Sequence, residues 1–310
     1  MKKIQLANAP CSWGTIEGWG QSIGYADMLD QLVATGYTGT ELGDYGYMPT
    51  DTAALREALT LRNLTMLGAY EGVFWRDSSE HKAGLEKILR NARLLKSVAD
   101  IGDPETQPFV VIADEHSRDM PRFTNAGRIT SDLSLSRGDW ATFARGVDHA
   151  AKAVQEETGL RSVFHHHCGG YIEAPWEIEE LLARTDSRYL GLVFDTGHFL
   201  YGTGTNDGDL VLTALETFKS RIWYVHFKDC SQAIATASRE HQRNYKQAIG
   251  AGVFCELGQG GVDFAAVTKK LEQLGYDGWI CVEQDVLPGM GDPKVSAAHN
   301  RQYLAKVAGL

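Results

Sequence analysis

The stretch from Arg161 to His198 constrains this chain more than any other. An apolar run at Val163 and Phe164 ends in three histidines, His165, His166 and His167, and a helix-like segment follows. A second apolar run, Leu190, Leu192, Val193 and Phe194, ends in Asp195, with His198 three residues on. Two buried strands joined by one helix make a βαβ unit. Parallel strands in such a unit place their carboxyl ends side by side, and both ends here carry side chains of the metal-ligating kind.

The rest of the chain alternates in the same way. Ile4–Ala9 reads as a first strand stopped by Pro10, followed by the glycine-rich CSWGTIEGWG with Trp13 and Trp19. Helical spacing over residues 22–35 ends at Gly36, and GYTGTELG is a second strand closing on Glu41. A helix over 52–62, capped by Thr50 or Asp51, leads to LTMLGAY, a third strand ending near Glu71. His81–Ala99 sets Leu85, Ile88, Leu89, Ala92 and Leu95 on one helical face, and PFVVIAD is a fourth strand closed by Asp114. Residues 114–137 are polar and read as a long loop before a helix over 140–157. After the two strands of the opening stretch come a helix over 206–219 and RIWYVHFKD, a seventh strand with His226, Lys228 and Asp229 at its end. A second long loop, 230–261, precedes a helix over 262–274, the strand WICVEQD with Glu283, and a last helix over 293–310.

Eight uninterrupted alternations predict a single closed (β/α)8 TIM barrel over residues 1–310. The rival is a doubly wound open sheet, which would ordinarily carry a phosphate-binding glycine fingerprint after its first strand. The chain has no GxGxxG, no GxxxxGK[ST] and no GxSxG. A net charge of −10 argues against a broad nucleic-acid footprint. No run of about 18 apolar residues is present, so no membrane partner is expected. The start, MKKIQLANAP, lacks the apolar core of a secretory signal, and the five cysteines are odd in number without CxxC spacing. A reducing, cytoplasmic setting is the expectation.

In a barrel the strand ends converge, so the candidates are Glu41, Glu71, Asp114, His165 with His167, Asp195 with His198, His226 with Lys228, and Glu283. A lone strand-end carboxylate is more often a helix cap or an ion-pair partner than a ligand. Here strands five to eight all close on groups able to bind a divalent cation. A mixed imidazole and carboxylate set suits Mn²⁺, Co²⁺, Fe²⁺ or Zn²⁺ better than Ca²⁺. Lys228 shares a strand face with His226 and suits a proton donor or acceptor near the metal, or else a salt bridge to Asp229 or another carboxylate. His198 looks like a substrate hydroxyl contact or a structural histidine. Trp13 and Trp19 are placed to wall a sugar ring or simply to pack, and Cys168 and Cys230 receive no role.

FDTGHF, YVHFKD, the strand-end Glu283 and LGQGGVDF together resemble the xylose-isomerase-like barrel superfamily of sugar isomerases, epimerases and dehydratases. GYTGTELGDYGYMP, FHHHCG and the segment through FDTGH are most similar to the myo-inosose (2-keto-myo-inositol) dehydratases. The resemblance runs over nearly the whole chain and implies metal ligands at His165, Asp195, His226 and Glu283, with Mn²⁺ or Co²⁺ first and Zn²⁺, Fe²⁺ or Mg²⁺ as further candidates. It leaves open whether His165 or His167 is the ligand. In the superfamily's epimerases the fifth strand closes with a glutamate, and two metal-bound glutamates exchange a proton between opposite faces of the sugar. His165 stands in that place here, which favours elimination.

The implied activity is a metal-dependent lyase that removes water from a small keto-polyol, an inosose first, without nucleic acid or membrane and with self-association left open. His167, Lys228 and Glu283 are the expected catalytic groups, and Trp13, Glu41 and His198 the expected substrate contacts. A sugar isomerase or epimerase on the same barrel is the nearer alternative. A DNA-repair endonuclease of the superfamily is the distant one, and the acidic balance speaks against it.

Overall fold

A computed structural model describes residues 4–15 and 18–310, so the charged first three residues and positions 16 and 17 of the glycine-rich loop lie outside the described residues. Eight parallel strands close into one barrel: β1 (Gln5–Asn8), β2 (Gly39–Glu41), β3 (Thr65–Val73), β4 (Phe109–Asp114), β5 (Arg161–His165), β6 (Leu190–Asp195), β7 (Ile222–Phe227) and β8 (Trp279–Val282). Closure is made by β8 on β1, with Gln5 opposite Trp279 and Asn8 opposite Val282. A helix follows each strand: α1 (Tyr25–Ala34), α2 (Thr52–Thr60), α3 (His81–Lys96), α4 (Arg137–Thr158), α5 (Pro175–Arg184), α6 (Asp209–Phe218), α7 (Phe264–Gln273) and α8 (Pro293–Ala308). The open-sheet alternative is thereby excluded. No helix among the described residues is long and apolar enough to cross a membrane.

Two apolar layers hold the barrel. Ala7, Leu67, Val111, Val163, Val193, Tyr224 and Cys281 fill its interior, one small or branched side chain from most strands. Outside, the strands' other faces meet the helices. Ile88, Ala92 and Leu95 of α3 are fully buried, as their helical spacing requires, and each large aliphatic side chain so buried contributes roughly 1.5–3 kcal/mol.

The two segments read as long loops are partly helical. Residues Met120–Thr124 form a short helix capped by Asp119, and Gln232–Glu240 and Tyr245–Gly250 are helices capped by Ser231 and Asn244. A further helix, Thr196–Gly202, starts directly at Asp195. Asp229–Cys230 and Phe254–Cys255 pair antiparallel at the base of the second excursion. Asp229 anchors that base: its carboxylate accepts from the backbone N–H groups of Cys230, Gly258, Gly260 and Val262 at 2.8–3.1 Å. A Cβ on Gly260 would fall 2.2 Å from the Asp229 carboxylate, so LGQGGVDF owes its glycine to this wrap. Asp229 is therefore not the partner of Lys228.

The excursions are tied together above the barrel. Arg128 donates to the carbonyls of Thr124, Ser238 and Arg243. Phe123 and His116 from the first and Tyr245 from the second meet edge to face, with Trp19 against all three. Underneath, the buried Arg122 pairs bidentately with Glu177 at 2.7 and 2.8 Å and donates to the Gly170 carbonyl at 2.7 Å.

Candidate metal centre and active site

Side chains alternate across a strand, so every second residue of β5 to β8 points into the barrel. That places His165, Asp195, His226 and Glu283 around one point, with donor atoms within 4.8 Å of one another and every residue buried. His165 Nε2 lies 3.7 Å from Asp195 Oδ2, and His226 Nδ1 lies 3.3 Å from Glu283 Oε1 and 3.9 Å from Asp195 Oδ2. Asp195 Oδ1 caps the helix that follows by accepting from the His198 N–H at 2.8 Å. Asp195 Oδ2 and His226 Nδ1 are buried without a hydrogen-bond partner. Buried polar atoms are almost always satisfied. An orphaned carboxylate oxygen and an orphaned imidazole nitrogen aimed at one point fit a divalent cation.

The three consecutive histidines separate by the same alternation. His166 points outward between Phe194 and Phe199, and its Nε2 accepts the Asp195 N–H at 3.1 Å. Burial and the neighbouring His165 push its pKa down to about 3, so it is a neutral structural group. His165 and His167 face inward, and only His165 belongs to the ligand cluster. His167 Nδ1 lies 2.9 Å from the Cys168 carbonyl, which can only accept. Nδ1 therefore carries the proton, and the Nε2 lone pair receives the Tyr245 hydroxyl at 3.2 Å. Burial, with His116, His165 and Lys228 nearby, holds His167 well below the usual imidazole range.

Lys228 is buried beside the cluster, its Nζ 3.1 Å from Glu283 Oε2 and 3.3 Å from both Asp285 oxygens. Burial opposes its charge, but Asp285, Glu283 and Asp195 more than offset that and hold its pKa above the ordinary lysine value. For Glu283 the attraction of His226 and Lys228 likewise outweighs burial and lowers the carboxyl. Gly197 lets the Lys228 stem lie against the turn after β6, where a Cβ would stand 2.7 Å from Lys228 Cγ. His198 Nδ1 accepts the Cys168 N–H at 3.3 Å, and its Nε2 is 3.2 Å from Lys228 Nζ. Burial first, then His167 and Lys228, keep His198 neutral.

His165, His167, His198, His226, Lys228, Glu283 and Asp285 line a cavity of about 110 Å³ at the carboxyl end of the barrel, with Pro10, Thr15, Tyr70, Val111 and Tyr245 among its walls. A larger cavity of about 520 Å³ opens at the other end, between Phe109, Trp223 and Trp279, but no metal-type cluster lies there among the described residues. Glu41, His198, His167, Lys228 and Glu283 all reach the smaller cavity. Trp13 does not. Its indole is fully buried, with Nε1 donating to Gln31 of α1 at 2.9 Å, so the expectation that it walls a sugar is corrected. A tryptophan in an aperiodic loop gives no sign of which way it points. Glu71 and Asp114 also fall elsewhere: Glu71 pairs with Lys87 and Arg90, and Asp114 accepts the Tyr171 N–H at 3.0 Å.

Sequence reading missed Asp285 and Tyr245. Asp285 continues the period-two series Cys281, Glu283, Asp285 and could have been found by it. Tyr245 comes from the second excursion, where no periodicity relates residue to site.

The chain belongs to the family of xylose isomerase-like TIM barrels, which it matches over residues 19–307. Its relatives include inosose dehydratase 2 of a Bacillus cereus strain, 30% identical, and inosose dehydratase of Bacillus thuringiensis (strain Al Hakam), 29% identical. Each alignment covers 99% of this chain and 98% of the relative. Among solved structures, the IOLI protein with a bound zinc atom superposes with a TM-score of 0.69 at 13% identity, over 99% of this chain and 98% of that one.

Proposed function

We propose that this barrel is a metal-dependent lyase that eliminates water from a keto-polyol, and that the keto-polyol is an inosose. The observation that carries the reading is the buried quartet of His165, Asp195, His226 and Glu283 with orphaned donor atoms, set beside an ammonium and a neutral imidazole. The names of the full-length relatives favour inosose as the substrate. The four residues would hold a divalent metal of the Mn²⁺, Co²⁺, Fe²⁺ or Zn²⁺ kind by donor chemistry, with Mn²⁺ or Co²⁺ first by the family resemblance. Bound there, the cation supplies Lewis-acid polarisation of the substrate carbonyl and neutralises charge that develops on its oxygen.

Proton-transfer roles follow from two environments that push ionisable groups apart. His167 is neutral with its lone pair on Nε2, so it takes the proton from the α-carbon once substrate displaces the Tyr245 hydroxyl from that lone pair. Lys228 is charged, held by Glu283 and Asp285, so it gives a proton to the departing β-hydroxyl, which leaves as water. One C–H and one C–O bond break and a C=C bond forms; after product leaves, solvent takes the proton from His167 and returns one to Lys228. Tyr245, Trp19 and the joined excursions keep bulk water from this step.

Elimination is favoured over epimerisation because His165 stands where a second proton-shuttling carboxylate would be needed, and a nitrogen committed to a metal cannot collect a proton from carbon. Incubation of the metal-loaded protein with an inosose in D₂O tests the proposal. The expected product is the enone or its diketone tautomer, seen by absorbance and NMR, with little inverted substrate. Inverted, deuterated substrate without dehydrated product would overturn it.

A further inference from the structure

Glu41 lies in a setting that a substrate contact does not explain. The β2–β3 register shifts between Thr40 and Glu41, so Thr40 faces Met66 while Glu41 faces Gly68. The extra residue of this shift, Leu67, lies on β3, while Glu41 follows Gly39 on the inward face of β2 and sends its carboxylate across the barrel towards β7. One oxygen, Oε1, lies 2.8 Å from the Tyr224 hydroxyl and 2.8 Å from His226 Nε2. Tyr224 and His226 are two apart on the same strand face, so both reach that oxygen from one side. With Nε2 donating, the His226 ring in the neutral form that a metal requires carries its lone pair on Nδ1. That is the buried, partnerless atom facing Glu283 and Asp195.

We infer that Glu41 is a positioning residue: it sets the tautomer and rotation of His226 so that Nδ1 points at the metal position, and Tyr224 holds the carboxylate in place. The inference rests on the proposal that the quartet binds a divalent cation. A carboxylate behind a ligating imidazole fixes its orientation and raises its basicity, and loss of such a partner lowers metal affinity 10–100-fold.

The test is Co²⁺ binding, measured by competition with a chromophoric chelator, together with the visible Co²⁺ spectrum. Glu41→Ala should weaken Co²⁺ binding by about 10–100-fold while leaving the secondary structure of the metal-free protein unchanged. Glu41→Gln, which keeps an acceptor oxygen, should recover part of the loss yet shift the Co²⁺ ligand-field bands, an effect that mere packing would not produce. Because Glu41→Gln keeps the side chain's size, it decides the matter if the alanine variant fails to fold. Asp195→Ala is the control that removes a ligand. Wild-type Co²⁺ affinity and spectrum in Glu41→Gln, with binding abolished in Asp195→Ala, would overturn the role of Glu41 and leave the metal reading standing. No Co²⁺ uptake by the wild-type protein would overturn both.

Discussion

Replacing Lys228 by Met separates the two proton transfers. The ammonium sits 3.1 Å from Glu283 and 3.3 Å from Asp285, so Met removes the acid and leaves two buried carboxylates short of a cation. A placed general acid is worth about 10²–10⁴ in rate, or about 3–5 kcal/mol of barrier, and elimination should slow by that factor. His167 is untouched, so the variant should still exchange the substrate's α-proton with D₂O, followed by NMR. His167→Asn should lose both exchange and elimination. Stripping the cation from buried carboxylates also destabilises the fold by about 3–5 kcal/mol, so rates are compared on protein shown by circular dichroism to be folded at the assay temperature. If Lys228→Met loses exchange in step with elimination while His167→Asn keeps exchange, the two roles are reversed and the reasoning fails.

Arg122→Ala leaves Glu177 with only the Glu173 and Ala174 N–H donors in a site from which both partners exclude water. It should cost about 3–5 kcal/mol in urea denaturation, and a loss under about 1 kcal/mol would refute the account. The metal-free protein should weaken in alkali through His226. Burial lowers its pKa, but Glu283, Glu41 and Asp195 outweigh that and raise it from 6.5 to about 9. A raised folded-state pKa means this stability is fully present below pH 6.5 and is lost as pH climbs through 9, on the order of 3 kcal/mol in all. Thermal melts from about pH 6 to 10 should show that decline in the wild type and a flatter profile in His226→Gln. Arg128→Ala, which unties Thr124 from Ser238 and Arg243, should speed protease nicking of the two excursions without altering Co²⁺ binding; unchanged cleavage would count against their acting as one cover.

Much of this was legible in the chain. Period-two alternation at Tyr224, His226, Lys228 and at Cys281, Glu283 puts those groups on one strand face, and eight alternations of strand and helix bring the strand ends together. The helix at Tyr245–Gly250 was legible too, since Asn244 and Gln247 make a capping box, yet the polar composition around them reads as loop.

Alternation also says that His165 and His167 share a face opposite to His166. It cannot say which of the two inward rings reaches the ligand cluster, because that depends on how high each stands above the barrel floor. Trp13 went inward and Tyr245 came over the cavity for a related reason: loops carry no period, and their side chains settle where packing and hydrogen bonds with distant elements place them. Glu41 shows the division most plainly. Its place at the end of β2 follows from local pattern, whereas its contact with His226 needs a carboxylate spanning a closed barrel. Strand periodicity and apolar runs act between near neighbours and are written in the sequence. Which donor atoms share one buried point is set only when the sheet closes on itself and residues 185 apart come within 2.8 Å.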